Sequence, residues 1–385
     1  MKKVVLLGYG ISGKAVERYF LQKGIQPIIY EGDGSEPLDL EGVDLVVKSP
    51  GIRSTHPWAV QAGSYTSELE LGLEQLSGKQ VIGITGSNGK TTTTLLVAHL
   101  LSGYACGNVG QPILGAPDAD FYVVELSSFQ LQGLKEAPYF DVAALLNITP
   151  NHLDWHASME EYVAAKMRLG NCLKEKGVLL MHQEAYEKYG KGLERVEPIS
   201  KLVYRNEKFP AAHDAQNIAA AYAICKRVGL SDAEFEQRLE TFEKPPHRME
   251  FVCTKRGIHF INDSKATSVD AVAKALASVS GSIIWIAGGV DKGGSFAELL
   301  PLVKEKVRVL IALGEAKERI ARELKEGAPI TLTSSLEEGV EMARKEAKAG
   351  DTVLLSPGCS SYDQFKSFEE RGERFKHYVR GYDEP

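Results

Sequence analysis

Residues 80–101 read Gln80-Val81-Ile82-Gly83-Ile84-Thr85-Gly86-Ser87-Asn88-Gly89-Lys90-Thr91-Thr92-Thr93-Thr94-Leu95-Leu96-Val97-Ala98-His99-Leu100-Leu101, and this stretch decides the fold. The apolar run 80–84 predicts a buried strand, and 92–101 predicts a helix. A glycine loop between strand and helix lets backbone N–H groups and a helix N-terminus converge on phosphate oxygens. The spacing Gly86-x-x-Gly89-Lys90-Thr91 is tighter than the general Walker pattern. It still supplies the parts of a nucleoside-triphosphate site: Gly86, Ser87, Asn88 and Gly89 for the cradle, Lys90 for the β/γ-phosphates, Thr91 for Mg²⁺, and Thr92 beside it. A glycine turn that merely precedes a lysine would need neither the hydroxyl nor the strand–helix context.

The same alternation extends outward from this loop. Apolar runs at 4–7, 28–30, 45–47, 122–124, 142–146, 258–261, 283–287, 309–313 and 353–355 are separated by helical patterns. Parallel sheets covered by helices on both faces follow, an α/β chain of mostly parallel Rossmann-like sheets. Ligands gather at the carboxyl ends of such strands. Two joints divide the chain: Leu76-Ser77-Gly78-Lys79-Gln80, and the proline joint Phe242-Glu243-Lys244-Pro245-Pro246-His247. Three domains are expected, at 1–78, 79–245 and 246–385, with the P-loop-type ATP-binding domain in the middle. A length of 385 residues suits two or three domains.

Composition narrows the partners. Apolar content of 43% and charged content of 25% are those of an ordinary globular chain. A net charge of −6 gives no footprint for nucleic acid or an anionic membrane, so anionic substrates must be held by local basic groups. No stretch approaches the roughly 18 apolar residues of a membrane span. Gly8 and Gly10 break the N-terminal apolar run too early for a signal peptide. Five scattered cysteines without metal-ligand spacing suit a reducing cytoplasm. Small-molecule substrates, a monomer and a cytoplasmic location are the expectation.

Several constellations fall at strand ends. Gly8-Tyr9-Gly10-Ile11-Ser12-Gly13 follows the first strand, with Glu31 after the second and Ser49-Pro50-Gly51 after the third. This is a phosphate-binding turn, and a dinucleotide-binding dehydrogenase is the rival reading; it leaves the stronger loop at 86–91 unexplained. Glu125 ends a very apolar run and is placed to hold the Mg²⁺ that Thr91 contacts. His152, Asp154 and His156 follow the strand at 142–146 and are candidates to ligate metal or orient nucleotide. Ser158-x-x-Glu161 is a capping box that starts a helix whose apolar stripe is Tyr162, Ala165, Leu169 and Leu173. Lys166 sits on the edge of that stripe, and from the residues alone it reads as a lysine snorkelling to water. In the last third, Arg248, Asp263, Lys265, Asp291, Lys292, Lys317 and Ser361 cluster at strand ends, which suits carboxylate or phosphate anions.

Taken together, these motifs resemble the Mur ligase family of ATP-dependent amide-forming enzymes, from Gly8 to about Arg374. Thr85-Gly86-Ser87-Asn88-Gly89-Lys90-Thr91 matches the family's loop. Glu125-Leu126-Ser127-Ser128-Phe129-Gln130-Leu131, Asp263-Ser264-Lys265-Ala266-Thr267 and Leu355-Ser356-Pro357 through Gly372 match its D-glutamate-adding branch. The resemblance implies addition of D-glutamate to UDP-N-acetylmuramoyl-L-alanine through an acyl phosphate, in peptidoglycan precursor synthesis. ATP and Mg²⁺ are implied, the metal as two ions with Mn²⁺ an alternative. Ser12, Glu31, Ser49, Pro50, Gly51 and Asn108 would hold the UDP precursor; Asn217, Arg248 and Asp291 would complete the ATP site. Lys90, Glu125, His152 and Lys166 would be catalytic, with Thr91, Glu125, His152 and a carbamylated Lys166 on metal. Lys292, Lys317, Ser361 and Phe368 would receive D-glutamate. Gly294 stands where the family's pattern has a hydroxyl, and the chain is shorter than that pattern suggests.

Overall fold

The structure is a computed structural model, and it describes residues 3–109, 111–149, 155–200, 212–291 and 294–381. The chain divides into two compact units, Met1–Phe242 and Glu243–Pro385. The first unit carries two parallel sheets. One is three-stranded, ordered β2-β1-β3, from β1 (Val4–Leu7), β2 (Ile28–Tyr30) and β3 (Leu45–Lys48). The other is six-stranded, ordered β5-β6-β4-β7-β8-β9. Its strands are β4 (Gln80–Thr85), β5 (Tyr104–Gly107), β6 (Phe121–Glu125), β7 (Phe140–Leu145), β8 (Leu173–His182) and β9 (Val196–Ile199).

The centre of that sheet is apolar because both of its faces are covered. Ile82, Ile84 and Val142 face the helices Lys90–Leu101 and Ala212–Arg227, whereas Val81, Val124 and Leu145 face a second core with Leu131 and Leu169. Sandwiched this way, β4 is buried from Val81 to Thr85, and register aligns Thr85 with Leu145 and Leu145 with Met181. The loops after β4, β6 and β7 therefore emerge side by side at one edge.

The stripe expected to run through Leu173 is shorter in the structure. The helix Met159–Met167 gives way to a 3₁₀ turn at Arg168–Cys172, and Leu173 opens β8 opposite Phe140. Ser158 caps the helix by accepting from the Glu161 N–H at 3.2 Å, but the Glu161 carboxylate accepts from the Ala157 N–H at 2.8 Å rather than closing a reciprocal box. A full capping box does form at Ser127 and Gln130, fixing the helix Ser128–Gly133 directly behind Glu125.

The second unit holds one six-stranded sheet, ordered β10-β11-β15-β12-β13-β14. Its strands are β10 (Glu250–Lys255), β11 (Ile258–Asn262), β12 (Ile283–Gly288), β13 (Val307–Leu313), β14 (Ile330–Leu332) and β15 (Thr352–Leu355). Only β10 runs antiparallel to its neighbour. Trp285 and Leu310 anchor one core and Ile286 and Phe375 the other. Among the described residues no helix is long and apolar enough to cross a membrane.

Candidate active site

The turn between β4 and the helix Lys90–Leu101 is closed to side chains. Gly89 is left-handed at φ 80°, and a Cβ there would fall 2.3 Å from Asn217 Oδ1. Neighbouring loops brace it. The Ser87 N–H donates to the Asn147 carbonyl and the Asn88 N–H to Asn147 Oδ1, both at 2.8 Å. Ser87 Oγ donates to the Thr149 carbonyl at 3.0 Å and lies 2.8 Å from the Tyr162 hydroxyl. Thr93 Oγ1 donates to Asn217 Oδ1 at 3.3 Å, which ties the helix carrying Asn217 to the loop. Asn147 and Tyr162 were not singled out as site residues in the sequence. Asn147 could have been, since it directly follows β7.

Two lysines meet over this loop. Lys90 Nζ folds back and donates to the carbonyls of Gly86 at 2.8 Å and Ser87 at 3.1 Å. Lys166 Nζ donates to the same Gly86 carbonyl at 3.0 Å and stands 4.7 Å from the Tyr162 ring centre. Lys166 is only 1% exposed, so it does not snorkel. Burial, with the charge of Lys90 added, pulls its amine down to about 6 against the pull of Glu125. A neutral amine at neutral pH is nucleophilic.

Glu125 ends β6 and is 2% exposed. Its Oε1 accepts from Asn108 Nδ2 at 2.8 Å, while Oε2 is buried with no hydrogen-bond partner among the described residues. A buried carboxylate oxygen left in that state fits a bound cation. Thr91 is buried at the start of the helix Lys90–Leu101, and its hydroxyl and the Glu125 carboxylate are the oxygen donors of this edge that could hold Mg²⁺. His156 is fully buried, its Nε2 2.9 Å from Ser128 Oγ and its ring stacked on Phe129 at 5.7 Å, which is a packing role. His152 and Asp154 lie outside the described residues, as does Lys292.

At the first sheet, Gly8 is left-handed at φ 85°, and a Cβ on Gly13 would fall 2.4 Å from the Gly8 carbonyl, so the helix Ile11–Gln22 seats tightly on the strand. Ser49 Oγ donates to that carbonyl at 2.9 Å and holds the turn. Ser12 and Pro50 line a cleft shared with Phe129 and Gln130, whereas Glu31 and Gly51 are exposed beside it in sequence and do not line it. Asn108 is placed on Glu125 instead.

In the second unit, Arg248 lies near Asp263, whose carboxyl is pushed up to about 7 by burial although Ser356 Oγ and the Met249 N–H donate to it at 3.0 and 3.2 Å. Asp291 pairs with Arg319, a partner not foreseen; Arg319 also reaches Glu323 at 2.7 Å. Lys317 Nζ donates to the Thr333 carbonyl at 3.5 Å. Ser361 is buried, and Phe368 begins the helix Phe368–Arg380 with Lys265 Nζ 4.1 Å from its ring centre. Arg371, 1% exposed, joins three strand-end loops: it donates to Ser264 Oγ at 3.0 Å and to the carbonyls of Ser264 at 2.9 Å, Cys359 at 3.1 Å and Gly288 at 3.4 Å.

Comparison with known proteins points the same way. The Mur ligase middle domain matches residues 84–236, and the Mur ligase glutamate ligase domain matches residues 247–359. The chain is 40% identical to the UDP-N-acetylmuramoylalanine–D-glutamate ligase of Chlamydia pneumoniae, over 98% of each chain. It is 38% identical to the ligase of the same name from Protochlamydia amoebophila, again over 98% of each. Among solved structures, the UDP-N-acetylmuramate-alanine ligase MurC of Thermotoga maritima superposes with a TM-score of 0.62 at 18% identity, covering 100% of both chains. The MurF ligase of Thermotoga maritima in complex with ADP gives 0.61 at 18%, covering 89% of this chain and 90% of that one. At such identities these two structures bear on the fold alone.

Proposed function

The chain belongs to the Mur ligase family, and we propose that it is the ATP-dependent ligase that joins D-glutamate to UDP-N-acetylmuramoyl-L-alanine in peptidoglycan precursor synthesis. The observation that carries the reading is the end-to-end likeness to D-glutamate ligases. The buried amine of Lys166 and the unpartnered Oε2 of Glu125 beside the glycine loop support the chemistry. The three sheets correspond to a precursor-binding domain at 1–78, a central ATPase domain at 79–245 and an amino-acid domain at 246–385. The five unpaired cysteines suit a reducing compartment, and the cytoplasm is where this reading places the reaction.

Two steps follow. The terminal L-alanine carboxylate attacks the γ-phosphorus of ATP, the bond to the β-phosphate oxygen breaks, and ADP leaves an acyl phosphate. The D-glutamate amine then attacks the acyl carbon, loses a proton, and phosphate departs with the electron pair of the broken C–O bond. Lys90 swings from its own loop carbonyls onto the phosphates and offsets repulsion between the two anions. Backbone N–H groups of 87–91 orient the chain of phosphates, with Asn217 beside Gly89. Thr91, Glu125, His152 and Lys166, the last as its carbamate, would hold Mg²⁺ as two ions, which supply charge neutralisation at the phosphates. Lys166 reaches the carbamate when its neutral amine adds to CO₂ and releases one proton. Lys292, Lys317, Ser361 and Phe368 seat D-glutamate.

Phosphate release from ATP, measured with UDP-N-acetylmuramoyl-L-alanine and each candidate amino acid in turn, tests this. Release stimulated by D-glutamate and little else is expected. Stimulation by another amino acid would keep the ligase chemistry and overturn the substrate; release indifferent to the UDP-sugar would overturn the whole reading.

A further inference from the structure

The precursor cleft of the first unit holds a cation that no motif singled out. Lys48 is the last residue of β3 and is aligned with Leu7, so it stands beside the turn that begins at Gly8. With Ser12, Pro50, Tyr65 and Gln130 it lines the cleft. No carboxylate pairs with it among the described residues. Its Nζ donates to the Ile52 carbonyl at 2.6 Å and lies 5.2 Å from the Tyr65 ring centre. The neighbouring acid in the cleft, Glu68, is 4% exposed and accepts from the Leu114 N–H at 2.8 Å. Burial raises its carboxyl above the usual range, which weakens any cancelling charge. Across the cleft, the helix Ile11–Gln22 starts at Gly10 with no side-chain cap, and Ser12 lies in its first turn. The loop between β2 and β3 carries six charged residues, all acidic: Glu31, Asp33, Glu36, Asp39, Glu41 and Asp44.

We propose that Lys48 binds the pyrophosphate of the UDP precursor, opposite the uncapped N-terminus of the helix Ile11–Gln22. A diphosphate set on the glycine turn has N–H donors on one side and needs a cation on the other. Lys48 supplies it by exchanging its carbonyl contacts, to Ile52 at 2.6 Å and Ser49 at 3.4 Å, for phosphate oxygens. Lysine is suited to this as a point charge on a flexible stem. The assignment rests on the ligase reading above, because that reading supplies the diphosphate.

The test compares wild type with K48Q, K48M and K48R in the full chain. K48Q and K48M should raise the KM for UDP-N-acetylmuramoyl-L-alanine roughly tenfold, the scale of one charge-assisted hydrogen bond, with kcat and the KM for ATP within about twofold. K48R should stay within about threefold of wild type. UDP as a competitive inhibitor should weaken by the same factor, whereas uridine, which lacks phosphate, should not. An unchanged precursor KM in a folded K48Q or K48M overturns the proposal, and so does equal weakening of UDP and uridine. A wild type that ignores both the UDP-sugar and UDP overturns the ligase reading itself, a result distinct from variants that match an active wild type.

Discussion

The carboxyl edges of the central sheet and of the last sheet use the same strand–loop–helix construction, yet they treat their charges in opposite ways. At the central edge one buried carboxylate valence stays open beside two lysines. Lys90 and Lys166 both lean on one carbonyl, that of Gly86, and Glu125 keeps an unpartnered Oε2. At the last edge nearly all valences are closed, with Thr333 Oγ1 the buried exception among the described residues. Arg371 is surrounded by three carbonyls and the Ser264 hydroxyl, and Asp291 is paired with Arg319. Asp263 accepts two hydrogen bonds and is held near neutrality. Open valences suit a site completed by an incoming polyanion and its metal. Closed ones build a firm seat whose own groups need no ligand to be satisfied. Changes at the central edge should therefore act on chemistry, and changes at the last edge on amino-acid affinity.

The largest effect is expected at Lys90. Lys90→Ala should reduce ATP turnover by roughly a thousandfold, the scale of a lost phosphate clamp. Precursor binding should stay within about threefold, less than 1 kcal/mol, when read by equilibrium dialysis. A collapse of precursor affinity would mean that the two sheets of the first unit do not divide the work. Lys166→Ala comes next, with about a hundredfold loss of kcat that partly returns on adding formate or acetate, since either can stand in for the carbamate. Full activity of Lys166→Ala without added carboxylate would remove the carbamate from the mechanism. Wild type stripped of CO₂ should recover with bicarbonate above pH 6 and progressively fail below it, because the amine titrates at about 6. Stability carries the same signature. Between about 6 and the ordinary 10.5 the unfolded lysine binds a proton that the folded one does not, so stability rises with pH through that window. Lys166→Met should flatten the rise in urea unfolding curves.

Legibility in the sequence followed burial. The strands at the centres of the sheets announced themselves as apolar runs. Those that passed unnoticed were β5, β8, β9, β10 and β14, and all but β8 lie at sheet edges. An edge strand has one neighbour and less apolar cover, so β9 tolerates Pro198 and β14 has an exposed Leu332. In β8 the run Lys174-Glu175-Lys176-Gly177 masks a strand whose later half, Gly177 to Met181, is buried. The glycine loop was readable because its chemistry is local, with every part inside six residues from Gly86 to Thr91. Lys166 was not, because its burial depends on Gly86, 80 residues away, and Tyr162 closing over it. Lys48 escaped for a related reason. Only the pairing of β3 with β1 brings it beside Gly8.

The smallest effect should sit at Ser361, and it sharpens the contrast best. Its backbone is fixed without help from its hydroxyl. Ser360 and Val290 exchange N–H to carbonyl bonds at 2.9 and 3.0 Å, and the Ser361 carbonyl accepts from the N–H groups of Phe365 at 2.8 Å and Gln364 at 3.2 Å. Ser361→Ala thus removes one hydroxyl from an otherwise unchanged loop. If that hydroxyl donates to a D-glutamate carboxylate, its loss costs about 1 kcal/mol, which is roughly a fivefold rise in the KM for D-glutamate. The kcat and the KM for ATP should hold within about twofold, and the melting temperature should barely move. The opposite split, an unchanged amino-acid KM with a fallen kcat, would show that the closed edge takes part in phosphoryl transfer, and the division between an open reacting edge and a closed seat would fail.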